Sequence, residues 1–167
     1  MKRKLLFLLP LLMLVFSIDA NAQQQFNGDY FVAATPNASW NILPLDVEFE
    51  GEAAHFIKAK GESLLSYTLI MAVSEIKDMK GVEAHLKDQT SIHNFVPGSV
   101  SKIYKDEFMG QPTSVFDFKI DLEGAVFEGS MYAMIVDGVM YSFMSYQAAG
   151  EPTTDLIALL NSFAVVE

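Results

Sequence analysis

Three serines stand in short patterns that resemble those of hydrolases. Ser63 follows Gly61-Glu62 as in a nucleophile elbow, but Leu65 stands where the elbow needs a glycine for its sharp turn. Ser74 and Ser99 each begin an S-x-x-K pattern, and the companion motifs S-D-N and K-T-G are missing from the sequence. Four-residue matches arise by chance. The sequence therefore predicts no catalytic residue, and an undetected hydrolase is only a third hypothesis.

The histidines and one acidic stretch are the candidates for metal binding. His85 and His93 are eight residues apart on one predicted helix, roughly 12 Å at the helical rise, so they cannot share an ion. His55 stands alone in a predicted strand. The stretch Asp46–Gly51 resembles the first half of a calcium loop, but Ile57 occupies the position of the bidentate glutamate. An amphipathic strand explains this stretch better, so we expect no metal and no cofactor.

Four apolar residues of a predicted hairpin form the candidate ligand-binding face. Met131, Ile135, Met140 and Met144 project from the same side of the two strands. Thioethers are soft ligands that suit Cu(I), and methionine also fills cores and lines apolar pockets. Packing in the core under a helix is the first interpretation of this face. A pocket for a small apolar ligand is the second, and a copper site is a distant third.

The sequence Asn37-Ala38-Ser39 is an acceptor pattern for N-glycosylation and follows a predicted turn. The pattern matters only in a cell that glycosylates, which the sequence does not establish. The alternative is an ordinary surface loop.

Apolar alternation and turn residues predict a chain of antiparallel strands interrupted by one helix and closed by another. The predicted strands are 29–34, 39–49, 53–59, 63–73, 113–122, 126–136 and 139–147, with a further strand beginning at Ser99. A helix is predicted over 78–94, with Asp78 as its N-cap and an apolar stripe. Pro152 opens the second helix, whose buried face is Leu156, Leu159, Leu160 and Phe163.

The strongest local signal is Asp137-Gly138 between two apolar runs, which predicts a two-residue hairpin turn. That turn pairs Val136 with Val139 and Ile135 with Met140, and it sets every later pair of the two strands. Because both faces of this hairpin are apolar, we expect its strands to be central and covered on both sides. The predicted fold class is α+β, a twisted and mostly antiparallel sheet with helices on both faces.

Two segments and the order of elements carry a family resemblance. The early segment is Thr35-Pro36-Asn37-Ala38-Ser39-Trp40, and the closing helix ends Leu159-Leu160-Asn161-Ser162-Phe163. Together they resemble the PsbP-like superfamily, and in particular its exported bacterial branch of the DcrB type. The resemblance implies an antiparallel sheet with a helix layer on each face. It also implies a protein that works by binding or scaffolding, and it supplies no active site.

The first 22 residues have the pattern of a secretory signal peptide. A basic start precedes an apolar run from Leu5 to Ile18, and Ala20 and Ala22 occupy the positions that signal peptidase reads, with cleavage before Gln23. The run has 14 residues, fewer than the roughly 18 needed to cross a bilayer. The chain contains no cysteine, which excludes a lipid anchor on cysteine. We therefore expect a single domain over 23–167 that is periplasmic or secreted, without stable membrane insertion.

Charge and composition limit the partners. Removing residues 1–22 shifts the net charge from −10 to about −12, and no basic cluster is present to bind nucleic acid. The first functional hypothesis is an exported, non-catalytic binding or accessory protein of the bacterial envelope that acts through an unknown protein partner. The alternative is a carrier that holds a small apolar ligand between the methionine face and a covering helix.

Overall fold

The computed structural model describes residues 23–92 and 94–166. The predicted signal peptide, with Ala20 and Ala22, lies outside the described residues, and so does His93.

The described residues form ten strands and two helices. In chain order they are β1 (Gln25–Asn27), β2 (Phe31–Ala34), β3 (Trp40–Leu45), β4 (Gly51–Lys60), β5 (Ser63–Val73), α1 (Met79–Ile92), β6 (Tyr104–Phe108), β7 (Gln111–Leu122), β8 (Ala125–Val136), β9 (Val139–Ala148), α2 (Thr153–Asn161) and β10 (Ala164–Val165). Seven strands form the main antiparallel sheet in the order β3-β4-β5-β9-β8-β7-β6. A smaller antiparallel sheet has the order β1-β2-β10 and brings the two ends of the described chain together.

The predicted hairpin of β8 and β9 is confirmed in its register. Val136 pairs with Val139 and Ile135 with Met140, and the pairing continues without a shift to the far end of both strands. Asp137 and Gly138 have φ angles of 50° and 77°. Two successive positive φ values are what a primed two-residue turn requires.

The main sheet is covered on both faces, as expected for its fold class. Met131, Met140 and Met144 belong to one core cluster with Val82 and Leu86 of helix α1, and we call this side the α1 face. The opposite side, which we call the α2 face, carries a second cluster. Its members include Met134, Tyr141 and Phe143 from the sheet, Leu159 and Phe163 from the closing segment, and Phe31 from the small sheet.

Both helices begin where the sequence predicts. Asp78 Oδ1 accepts a hydrogen bond of 2.7 Å from the backbone N–H of Gly81, which caps α1. Pro152 precedes the first helical residue of α2. Neither α1 nor α2, the helices of the described chain, has the length and apolar character to span a membrane.

The predicted strand 39–49 is too long. Strand β3 ends at Leu45, which pairs with Ala53 of β4, so the residues between them must reverse the chain. The apolar alternation continues into this loop because Phe49 packs against the core cluster of the α1 face. The strand predicted to begin at Ser99 is also wrong at its start, since β6 begins at Tyr104.

Serine side chains explain why the chain before β6 is irregular. Ser99 Oγ accepts from the N–H of Lys119 at 3.0 Å, and Ser101 Oγ accepts from the N–H of Asp117 at 2.9 Å. These hydroxyls take the place of backbone carbonyls along the edge of β7, so the segment needs no strand geometry to satisfy that edge. Hydroxyl groups that compete with the backbone in this way give no periodic signal.

Candidate functional site

A cleft of about 490 Å³ opens on the α2 face, between the sheet and the start of α2. Its floor is formed by side chains of β7, β8 and β9, and its wall by the β9–α2 connection and one side of α2. The lining residues that matter here are polar on the floor (Asp117, Lys119, Glu128, Ser130, Ser145 and Gln147) and apolar on the wall (Ala148, Ala149, Leu156 and Leu160), with Tyr132 beside them.

Asp117 is the central group of the floor. Its Oδ1 accepts a hydrogen bond of 2.5 Å from Ser130 Oγ, and its carboxylate accepts from the hydroxyl of Tyr104 at 3.2 Å and 3.3 Å. Burial, together with the charge of Asp117, raises the pKa of Tyr104 to about 12, so this hydroxyl remains a donor at neutral pH. Within the described chain, Asp117 forms no ion pair.

The remaining polar groups of the floor bind mostly to one another. Lys119 Nζ lies 2.5 Å from Glu128 Oε1, in an exposed pair that contributes little to stability. Ser145 Oγ is hydrogen-bonded to Thr68 Oγ1 at 3.0 Å. Gln147 Nε2 donates to the carbonyl of Glu151 at 3.1 Å, while Gln147 Oε1 is buried and has no hydrogen-bond partner among the described residues.

An ion-pair network fixes the wall. Lys58 Nζ of β4 lies 2.9 Å from Glu151 Oε2 and 3.0 Å from Asp155 Oδ2, so the sheet holds the first turn of α2. Asp155 also accepts from Trp40 Nε1 and Asn37 Nδ2, each at 3.4 Å. Burial of Asp155 opposes its ionisation, but these hydrogen bonds outweigh burial and lower its pKa. The segment from Asn37 to Trp40 therefore anchors the helix that walls the cleft.

The predicted apolar ligand face lies in the core. Met131, Met140 and Met144 are exposed by 1%, 0% and 6%, and Ile135 packs against the same cluster. Helix α1 covers this face through Val82 and Leu86. The cleft lies on the opposite face of the same hairpin, lined by neighbouring residues of the same two strands.

The serines of the hydrolase patterns lie apart from the cleft floor and from one another. Ser63 is exposed at the start of β5, and Ser74 Oγ donates to the carbonyl of Glu50 at 3.0 Å. Ser99 lines the rim of the cleft, where its hydroxyl binds the backbone of Lys119. Ser74 and Ser99 are both half-buried, and each hydroxyl therefore has a backbone partner.

Among residues 23–92 and 94–166, no three histidine or acidic side chains converge so as to hold a metal ion. Asp46 and Glu48 are both exposed in the loop between β3 and β4. Asn37 of the glycosylation pattern is exposed as well, and its Oδ1 accepts from the N–H of Ser39 at 3.0 Å and from the hydroxyl of Ser39.

His55 is half-buried and is hydrogen-bonded to Tyr67. His55 Nδ1 lies 2.6 Å from the Tyr67 hydroxyl. Burial raises the pKa of Tyr67 well above its usual range, so the tyrosine keeps its proton. Burial also lowers the pKa of His55 from 6.5.

We expect stability to fall as the pH is lowered below about 6.5, because the unfolded chain then binds a proton that folded His55 rejects. The loss ends once the pH passes the lowered pKa of the folded state, and its slope is at most about 1.4 kcal/mol per pH unit. Urea unfolding at pH 7.5 and 5.5 measures it. The variant His55→Gln, which keeps a hydrogen-bonding group for Tyr67, should lose less stability over this interval than the wild type. An identical loss in both proteins would contradict the assignment.

Comparison with known proteins bears on the fold. No family model and no curated protein matches the sequence. Among solved structures, the solution structure of cyanobacterial PsbP from Synechocystis sp. PCC 6803 is similar, with 11% identity, a TM-score of 0.56 and coverage of 90% of this chain and 96% of that one. The fold is PsbP-like.

A crystal structure from Bacteroides thetaiotaomicron VPI-5482 has the same fold, with 12% identity and a TM-score of 0.58 over 89% of this chain. The match covers 50% of that protein, so the present chain spans about half its length. Identities this low concern the architecture alone. They confirm the structural resemblance inferred from the element order and the two segments, and the function must be argued from the site.

Proposed function

We propose that the chain is an exported, non-catalytic binding or accessory protein of the bacterial envelope, and that its ligand lies in the cleft on the α2 face. The observation that carries this proposal is the cleft itself. Its volume of about 490 Å³ is within the range of small-molecule sites, roughly 300 to 1,000 Å³. An apolar wall beside a few convergent polar groups is the usual composition of such sites.

The chemistry of the lining supports binding more than catalysis. Nucleophilic catalysis by serine needs a base that takes the hydroxyl proton and a third group that orients the base. The hydroxyl of Ser130 donates directly to Asp117, and no histidine is among the described residues that line the cleft. The groups of the floor are thus arranged to hold a ligand in one orientation.

The pattern of residues 1–22 supports a location outside the cytoplasm, either periplasmic or secreted. Together with the acidic composition, it supports a protein that meets its ligand or a protein partner in the envelope.

A ligand on the methionine face is the weaker alternative. It would have to displace Val82 and Leu86, which are both fully buried against that face. We therefore propose the ligand site on the α2 face instead of beside Met131, Met140 and Met144.

Two adjacent residues of α2 allow a matched test. Leu156 lines the cleft, whereas Ile157 is 53% exposed and does not line it. We expect native mass spectrometry of the protein purified from its own cells to show a retained ligand or partner. Leu156→Trp should fill the cleft and reduce the retained species at least about tenfold, and Ile157→Trp should leave it unchanged. Equal retention in both variants would show that the ligand binds elsewhere.

A further inference from the structure

The floor of the cleft contains a carboxylate that the described chain leaves without a counter-charge. Asp117 is exposed, and among the described residues it accepts only from the hydroxyls of Ser130 and Tyr104, whereas an ionised carboxylate has about four acceptor positions. The lysine nearest along the strand, Lys119, is paired with Glu128. The cleft thus offers one unneutralised negative charge next to a wall that is apolar.

Aromatic rings stand beside this carboxylate. Asp117 pairs with Ser130 across β7 and β8, and Tyr132 is two residues further along the same face, about 7 Å away at the rise of a strand. Tyr104 approaches from β6 and points its hydroxyl at Asp117. A cation that contacts Asp117 in this cleft therefore lies close to Tyr132, an aromatic residue of the cleft lining.

The overall charge of the protein has the same sign as that of Asp117. The net charge of −10 also favours approach of a cation over that of an anion. A ligand that fits these groups donates hydrogen bonds, carries a positive charge and has an apolar body for Leu156 and Leu160.

We propose that the cleft binds a small organic cation, an ammonium group attached to an apolar body, with the ammonium on Asp117 and the body against the wall formed by α2. This inference rests on the proposed function, because it specifies the ligand class of the same cleft. The size of the cleft favours a small molecule over a basic side chain of a large partner.

The test compares three probes of nearly equal shape: 2-phenylethylammonium, 2-phenylethanol and phenylacetate. In titrations of the purified protein followed by calorimetry or NMR, the ammonium should bind with a Kd of about 1 mM or below. The neutral alcohol should bind at least about tenfold more weakly, and the anion should not bind. Added salt should weaken ammonium binding, because the attraction between charges is screened.

Two variants of the same strand separate a local charge from the general acidity of the protein. Asp117→Asn removes the charge in the cleft and keeps an acceptor for Ser130 and Tyr104. Asp121→Asn removes an equal charge from the same face of β7, and its side chain keeps an acceptor for the N–H of Gly124. We expect Asp117→Asn to weaken ammonium binding about tenfold and Asp121→Asn to change it less than twofold.

Equal binding of ammonium and alcohol, equal effects of the two variants, or no binding of the ammonium would each overturn the inference. These results leave the proposed function standing if Leu156→Trp still reduces the species retained from cells. If the probe titrations fail and Leu156→Trp also leaves the retained species unchanged, the binding role of the cleft is overturned as well.

Discussion

Replacing Glu52 by alanine should lower the free energy of unfolding by about 3 kcal/mol. The Glu52 carboxylate of β4 accepts three backbone hydrogen bonds, from Asp29 at 2.9 Å, Tyr30 at 2.8 Å and Phe31 at 2.7 Å. Hydrogen bonds to a charged group are strong, and an unpaired buried donor costs about 1–3 kcal/mol. Phe31 is fully buried, and its N–H makes the shortest of the three bonds.

The loss should be concentrated in the small sheet. Glu52 joins the main sheet to the segment that precedes β2, so alanine at this position frees β1 and β2 before the central strands open. Hydrogen exchange should therefore accelerate in residues 25–34, while the amides of β8 and β9 keep their protection. Chemical denaturation gives the change in free energy, and Glu62→Ala is the control because Glu62 is an exposed acid in the β4–β5 turn.

A substitution at Gly28 should disturb the same contact of the Glu52 carboxylate. A Cβ at residue 28 would lie 2.1 Å from Glu52 Oε2, so Gly28→Ala must displace the carboxylate. If both substitutions act on one contact, their effects are not additive, and Gly28→Ala should cost much less in the Glu52→Ala background than in the wild type. Additive effects, or a Glu52→Ala protein as stable as Glu62→Ala, would show that the carboxylate does not hold the small sheet.

Sequence alone could predict the central hairpin, because its determinants are local. The Asp137-Gly138 turn defines the register, and alternation then assigns each residue to a face. The small sheet could not be predicted in this way. Its strands have two to four residues, too few for a periodic pattern, and Val32 pairs with Ala164 from the far end of the chain. Only tertiary contacts such as that of Glu52 make these strands form.

The cleft could be predicted in part. Continued from the turn, the hairpin register places Ser130 opposite Ser145 and Glu128 opposite Gln147. Two polar pairs at the end of an otherwise apolar face indicate that this end is not covered, and this signal in the sequence was missed. The wall could not be derived, because the position of α2 depends on the ion pairs between Lys58 and the residues at its start. Those contacts join residues about 95 positions apart, which no periodic pattern reveals.

Gly129 of β8 lies between the floor of the cleft and the core of the α1 face, and the structure leaves no room there for a side chain. A Cβ at Gly129 would lie 2.2 Å from the carbonyl oxygen of Ser145 and 2.6 Å from Cβ of Tyr146, its partner in β9. Tyr146 cannot retreat easily, because it is 2% exposed and its ring stacks on that of Tyr67 with centroids 4.7 Å apart. The rings of Phe118 and Phe127 meet it edge-on from the other sides.

Gly129→Ala should therefore destabilise the protein by about 3 kcal/mol, since relief of the clash requires β8 to shift against β9 in the middle of the sheet. Urea unfolding followed by circular dichroism gives the value. Gly81→Ala is the matched control, because the nearest atom there is a side-chain methyl, the Cγ2 of Ile76 at 2.9 Å, and not a backbone atom. Alanine also favours a helix over glycine by up to about 1 kcal/mol, which offsets part of this contact, so this variant should lose much less stability than Gly129→Ala. Equal stability of the two variants would contradict the close approach of β8 and β9, and with it the arrangement of the strands that form the floor of the cleft.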